Sequence, residues 1–269
     1  MTMRFTLSDG IELAWEAVGE GPLILQAHGM LMSRAVDDAM DLFSWDPVRR
    51  LPGHRFVRYD ARGHGASAGR PEASDFTYQT VAQDLLELAG HLSPGRPFTA
   101  VGASLGCAAV LTAAVKAPGR FDRLVLLVPP TAWGTRPARA DVYRTAAQLV
   151  DERGAAAFDT AFAAAPVPAS LAGAPGYPPA ALGVQPDVLP ALLRGAARSD
   201  LPPHEALAAV DMPTLVLAWT DDPVHPVSTA EQLAELLPDA RLHISADAGD
   251  IRTWGERIAA FAAGSEAGG

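Results

Sequence analysis

The chain has 269 residues, 49% of them apolar and 19% charged, which suits a globular protein with a large buried core. Its formal net charge of -10 argues against nucleic-acid backbones and anionic membranes as partners. A single cysteine, Cys107, excludes an internal disulfide framework and a cysteine zinc cluster, and no apolar run reaches the length of a membrane span, so a cytoplasmic protein is expected.

Residues 3–8 and 11–18 read as two strands joined by the turn signal Asp9-Gly10. A short apolar strand follows at 23–27, then His28-Gly29-Met30. Residues 40–50 read as part of a helix, and 55–59 as a strand running into Asp60-Ala61-Arg62-Gly63-His64-Gly65-Ala66-Ser67. The stretch 76–91 is an amphipathic helix, with Val81, Leu85, Leu88 and Leu92 near helical spacing. Residues 98–101 form a buried strand, a helical pattern runs from there to about 117, and Pro118-Gly119 stops it. Another strand spans 124–128. From 130 to about 209 Ala and Pro dominate, and the spacing predicts helices near 138–153, 155–164 and 187–198. Tyr143, Phe158, Phe162 and Tyr177 of this stretch either line an apolar pocket or form its own core, the commoner arrangement. The core pattern then returns with a strand at 214–218, a helix at 228–237, a strand at 240–244 and a helix at 252–263. The tail from Ser265 to Gly269 is expected to fray. Strands alternating with helices imply a mostly parallel sheet covered on both faces, its site at the strands' C-terminal ends.

Chemistry concentrates at Gly102-Ala103-Ser104-Leu105-Gly106, between the strand at 98–101 and the helix behind it. A strand that turns into a helix this abruptly strains its middle residue, and flanking glycines are needed where a side chain would strike the neighbouring strand and helix. The turn lifts the Ser104 hydroxyl above the sheet at the positive end of the helix.

In order and motifs the chain resembles the α/β-hydrolase fold over roughly 1–129 and 210–263, with 130–209 in the place of the family's helical lid insertion. Three motifs carry the resemblance: the nucleophile elbow at Ser104, His28-Gly29-Met30 after the third strand, and Asp60-x-Arg62-Gly63-x-Gly65-x-Ser67 after the next. The glycines of the last could pass for a dinucleotide fingerprint, but no helix opens directly behind them and Pro71 intervenes. The resemblance implies an oxyanion hole made by the backbone N–H groups of Met30 and Leu105. One such donor is worth ~3–4 kcal/mol in an acyl-transfer transition state. It also implies structural roles for His28 and His64, with His28 near the site. After the strand at 214–218, Trp219-Thr220-Asp221-Asp222-Pro223-Val224-His225-Pro226 matches the family's acid loop, with Trp219 where glycine is usual. The spacing to Pro226 favours Asp222 as the acid over Asp221.

The pattern breaks at the base. The family's histidine follows the last strand, and here that loop reads Ser245-Ala246-Asp247-Ala248-Gly249-Asp250, with Asp250 in the expected place. An ordinary carboxylate is poorly matched to deprotonating a serine. Were Asp250 beside Asp222, like charges would raise one of the two pKa values. His225, three residues after Asp222, is the candidate replacement base, its alternative being a polar residue at the start of the next helix. His243 falls inside a strand, and His54, His91 and His204 read as surface or loop residues.

Two functions follow. The first is a cofactor-independent serine hydrolase of a small ester, lactone or thioester, with Ser104, His225 and Asp222 as its triad. The second is a non-hydrolytic protein of the same fold that binds an apolar ligand, or guides a cyclisation or isomerisation, with Asp250 and Asp222 as polar contacts; His28, Trp219 and Asp250 are the candidate site-lining residues. No zinc-ligand spacing, phosphate loop or EF-hand is present, so no cofactor or metal is expected. The partner implied is a small apolar molecule; oligomeric state and substrate identity are not legible in the chain.

Overall fold

The computed structural model describes residues 2–265; the tail beyond them, expected to fray, lies outside the described residues. The elements run, in chain order, β1 (Met3–Thr6), β2 (Glu12–Gly19), β3 (Leu23–Ala27), α1 (Arg34–Met40), α2 (Asp46–Arg49), β4 (Arg55–Tyr59), α3 (Tyr78–Leu92), β5 (Phe98–Ala103), α4 (Leu105–Lys116) and β6 (Phe121–Leu127). There follow α5 (Arg136–Arg153), α6 (Ala155–Ala163), α7 (Leu189–Ala197), α8 (His204–Leu207), β7 (Thr214–Trp219), α9 (Val227–Leu236), β8 (Ala240–Ser245), α10 (Ala248–Ile251) and α11 (Trp254–Ala262).

Among the described residues the strands form one sheet of eight, ordered β1-β2-β4-β3-β5-β6-β7-β8. β1 and β2 pair antiparallel, as do β2 and β4, and every later pairing is parallel. Gly10, at φ 87°, makes the first turn possible. β3, β5 and β7 are buried along their whole length, the pattern of strands covered on both faces. Alternate residues feed two cores. Leu25, Ala100 and Leu124 face α3, α4 and α9, whereas Ile24, Val101 and Val125 face α2 and α11. α3 is started by Thr77, whose hydroxyl accepts the Thr80 N–H at 3.3 Å, and it buries Val81, Leu85 and Leu88. Each such leucine contributes about 1.5–3 kcal/mol by leaving water. This is the α/β-hydrolase fold, and it brings the carboxyl ends of β3, β5 and β7 to one edge of the sheet, with β6 between β5 and β7.

Two helical expectations need correction. Instead of one helix through 40–50 there are two short ones, because Asp41 (φ 45°) ends α1 and Ser44 (φ 49°) turns the chain again. Burying Phe43 and Trp45 against the β7 and α11 side of the sheet drives that break. The last helix begins only at Trp254, and the preceding turn, α10, is capped by Asp247, which accepts the Asp250 N–H at 2.9 Å. Within 130–209 the helices fall close to the sequence expectation, at Arg136–Arg153, Ala155–Ala163 and Leu189–Ala197.

Candidate active site

β5 ends at Ala103 and α4 starts at Leu105, leaving Ser104 alone at the corner with φ 52° and ψ -106°. That backbone conformation costs of order 1–3 kcal/mol and persists only when its surroundings over-determine it. They do here. The Ser104 N–H donates to Leu127 O at 2.9 Å, tying the corner to the end of β6. A Cβ on Gly102 would stand 2.3 Å from Gly106 O, and one on Gly106 would stand 2.1 Å from Ala27 O in β3. Only glycine fits either position. The Ser104 side chain is half-buried, with its hydroxyl directed to the loop after β7.

That loop supplies two partners within four residues. His225 Nδ1 lies 2.7 Å from Asp222 Oδ2, and His225 Nε2 lies 2.8 Å from Ser104 Oγ. An ionised carboxylate only accepts hydrogen bonds, so Nδ1 carries the proton and Nε2 is free to accept from the serine hydroxyl. Asp222 also accepts the Trp219 indole N–H at 2.9 Å and the Val224 N–H at 2.8 Å. Burial alone would raise the Asp222 carboxyl, but the bonds and charge of His225, with those from Trp219 and Val224, hold it well below the usual carboxylate range. It is an anion facing an imidazole. Asp221 is exposed at φ 64° and takes only the Thr220 hydroxyl, so it is Asp222 that faces the histidine.

The loop after β3 lies over the corner, since a Cβ on Gly29 would meet the Ser104 Cβ at 3.6 Å. His28 fixes this loop. Its Nδ1–H donates to Gly29 O at 2.7 Å, and its Nε2 accepts the Ala61 N–H at 2.9 Å. Both ring nitrogens are spent on backbone groups around the loop, the structural role expected of His28, so it shapes the site. Burial, with the nearby His64, pushes its pKa down to about 3, which keeps the ring neutral. His64 meets the His28 ring edge-on at 5.1 Å, its two ring nitrogens facing Arg62 O and Met30 O; burial favours the neutral ring, which donates to one of the two. Asp60 anchors the neighbouring turn by accepting the N–H groups of Arg34 (2.8 Å) and Ala66 (3.0 Å). Opposite, Leu105 is the first residue of α4, where backbone N–H groups have no acceptor within the helix.

Asp250 is elsewhere occupied. Its Oδ2 receives His243 Nε2 and the Ser245 hydroxyl, each at 2.7 Å, and Arg257 approaches Oδ1 at 3.3 Å. Burial raises this carboxyl, but the bonds from Ser245 and His243 and the charges of His243 and Arg257 together outweigh it and hold it low, so the raised pKa of an Asp222–Asp250 pair is not found. The α10 turn points Asp250 back along β8, which removes it from the site-lining set. His243 is accordingly a partly exposed rim residue. Two features escaped sequence reasoning. One is the indole donor at Trp219. The other is Gly183, whose N–H donates to Leu31 O (2.8 Å) and whose carbonyl accepts the Gly65 N–H (2.7 Å). No local pattern signals a contact between segments so far apart in the chain. Among the described residues no three His, Cys, Asp or Glu side chains converge to hold a metal, and no helix is long and apolar enough to cross a membrane.

Comparison with known proteins places this geometry in context. Residues 27–263 match the model of an alpha/beta hydrolase family. A protein of Caulobacter sp. (strain K31), provisionally named the carbamate hydrolase RutD, is 30% identical over 227 residues, covering 78% of this chain and 77% of its own. A pimeloyl-acyl-carrier-protein methyl ester esterase of Nitrosomonas europaea is 26% identical over 246 residues, covering 84% and 88%. A hydrolase from Pseudomonas aeruginosa PA01 superposes with a TM-score of 0.73 at 25% identity, covering 97% of this chain and 96% of that one.

Proposed function

Because the chain belongs to the alpha/beta hydrolase family, we propose that it is a cofactor-independent serine hydrolase of small esters, lactones or thioesters, working through an acyl-enzyme on Ser104. The observation that carries this reading is the 2.8 Å approach of His225 Nε2 to Ser104 Oγ. A serine hydroxyl is a weak nucleophile until a base takes its proton, and His225 is in reach to do so. Ser104 Oγ attacks the acyl carbonyl carbon while His225 receives the proton, and the imidazolium that forms lies against the Asp222 carboxylate. The carbonyl oxygen, now negative, sits between the N–H groups of Met30 and Leu105. Collapse breaks the bond to the leaving group, which departs with the proton from His225. Water then repeats the sequence on the acyl-enzyme and frees Ser104.

Residues 130–209 act as a lid over this chemistry. The Gly183 bonds to Leu31 and Gly65, and the bridge between Val184 and His64, support that role by tying the segment to the loop after β3 and to the turn after β4. Met30, Leu31 and Met32 stand half-buried beside the corner, which favours an apolar acyl group. The non-hydrolytic reading drew its force from a missing base, and the contact of His225 with Ser104 supports the hydrolytic one instead. Treating the protein with a fluorophosphonate and mapping the adduct tests the proposal. A single adduct on Ser104, absent from Ser104→Ala, is expected; no adduct between pH 6 and 9, roughly the range in which a neutral imidazole can act, ends the hydrolase reading.

A further inference from the structure

We propose that Trp219 is a positioning residue of this triad, its indole N–H holding the Asp222 carboxylate in the orientation His225 needs; the proposal rests on the serine-hydrolase reading above. Where the family pattern has glycine, this chain carries an indole whose N–H reaches Asp222 Oδ2 at 2.9 Å. The same oxygen accepts His225 Nδ1–H at 2.7 Å, while Oδ1 accepts the Val224 N–H at 2.8 Å. A carboxylate's last torsion is broad and roughly two-fold, so one backbone amide does not fix it. Acid and base here share a four-residue span, with no second loop to hold one against the other. The indole supplies the missing restraint.

The restraint is itself rigid. Trp219 is 4% exposed and stacks on Trp254 (ring centroids 5.7 Å apart, 16° between planes) and on Phe43 (6.1 Å, 19°). Phe43 and Trp254 stack on each other at 5.5 Å and 3°, and the Trp254 N–H is fixed to Ser245 Oγ at 2.9 Å. The Trp219 ring meets the His225 ring edge-on at 6.0 Å and 90°, so it braces the imidazole as well. Drawing charge from Oδ2 also weakens the pull of the carboxylate on the imidazolium. Other charged or titratable groups near the pair are Tyr177, whose hydroxyl is raised by burial and by the Asp222 charge, Arg139, which reaches Pro223 O at 3.4 Å, and exposed Asp221.

Trp219→Phe keeps a stacking ring and removes the N–H. On a p-nitrophenyl ester kcat is expected to fall about tenfold with KM changed by less than roughly twofold, the loss of one hydrogen bond to a charged group. The acid limb of the kcat/KM profile should move up by about half a pH unit, because the freed carboxylate stabilises the imidazolium more strongly. A role in stacking alone leaves both readouts at wild-type values and overturns the proposal. Should Trp219→Phe not fold, the indole N–H resonances of the five tryptophans serve instead. One of them is expected to shift between wild type and Asp222→Asn; if none moves, the proposal fails. Fluorophosphonate labelling separates the two readings. A wild type unlabelled at Ser104 overturns the hydrolase reading and this one with it. A labelled wild type, matched in rate and pH dependence by Trp219→Phe, overturns this one alone.

Discussion

The sharpest consequence of the proposed function is that position 225, and not position 250, supplies the base, and two substitutions test it as a pair. In His225→Ala the Ser104 hydroxyl loses the imidazole 2.8 Å away, and the nearest alternative suggested by sequence, Asp250, is bonded to His243, Ser245 and Arg257 instead. Removing the base of a serine triad lowers kcat by roughly 10⁴- to 10⁶-fold, or about 5–8 kcal/mol of transition-state stabilisation. The fold should hardly notice, since Asp222 keeps its bonds from Trp219 and Val224 and forfeits one hydrogen bond, a loss of about 1 kcal/mol. Asp250→Asn should do the reverse. It weakens the bonds to His243 and Arg257 at the end of β8, costing about 1–2 kcal/mol of stability, and leaves kcat within roughly twofold of wild type. The assay is steady-state hydrolysis of a p-nitrophenyl ester beside a urea melt of each variant. A dead Asp250→Asn together with an active His225→Ala would falsify the assignment.

Three further expectations concern the scaffold. Gly106→Ala places a Cβ 2.1 Å from Ala27 O, a clash only backbone movement relieves, so it should lose about 3 kcal/mol or more. Gly90→Ala, inside α3 with open space around it, should gain about 0.5–1 kcal/mol; equal urea midpoints for the two variants contradict the elbow argument. Burial raises the Asp37 carboxyl to about 7 against the pull of Arg58, and raises Asp84 to about 6 against that of Arg62. A raised carboxyl keeps in the folded state a proton the unfolded chain has released, so stability falls as pH climbs from about 4 to 7 and then levels off. The lowered carboxyls of Asp222 and Asp60 act oppositely and lose their contribution on acidification below about pH 4. The Tm should peak near pH 5, and Asp37→Asn should flatten the neutral-side decline, which is bounded at roughly 4 kcal/mol for this group; a Tm that rises steadily from pH 5 to 8 contradicts this. Cys107 is fully buried with its thiol pushed up by burial, so Ellman's reagent should react only at the rate of unfolding. Rapid reaction of the native protein would show that α4 opens locally.

Sequence revealed most where a physical demand is local. The elbow was readable because two glycines and a serine must stand at fixed spacing for strand and helix to meet at Ser104. The largely apolar runs at 98–101 and 214–218, each with a single threonine, were readable because strands covered on both faces have no polar side to show. Asp222 and His225, three residues apart, were visible as a pair, but nothing local tells that the ring turns toward a serine 121 residues away rather than toward the helix behind it. Asp250 misled for a related reason. Its position in the chain is that of a base, and its direction is set by the Asp247 cap that turns α10 back toward His243. The helical reading of 40–50 held only at Met40 and 46–49, because the demand at Phe43 is tertiary, a place in the aromatic stack with Trp219 and Trp254.

Placing the proposed acid and base in one loop changes what the catalytic geometry would depend on. In the family's two-loop layout, three separate strand ends must be held in mutual register. Here Asp222 and His225 meet through local chain geometry, and the one long-range distance left is that between the β7 loop and the β5 corner. That distance is set by backbone hydrogen bonds that carry the sheet past its strand ends. Ser104 N–H donates to Leu127 O (2.9 Å), Val128 N–H to Leu217 O (2.7 Å) and Thr131 N–H to Val224 O (3.2 Å). In the proposed mechanism β6 is therefore the spacer between nucleophile and base, and the edge strand β8 carries no member of the proposed triad. Disturbing β8 should cost stability before it costs chemistry. A disturbance at the end of β6, where Val128 is already held at φ 45°, should cost chemistry first.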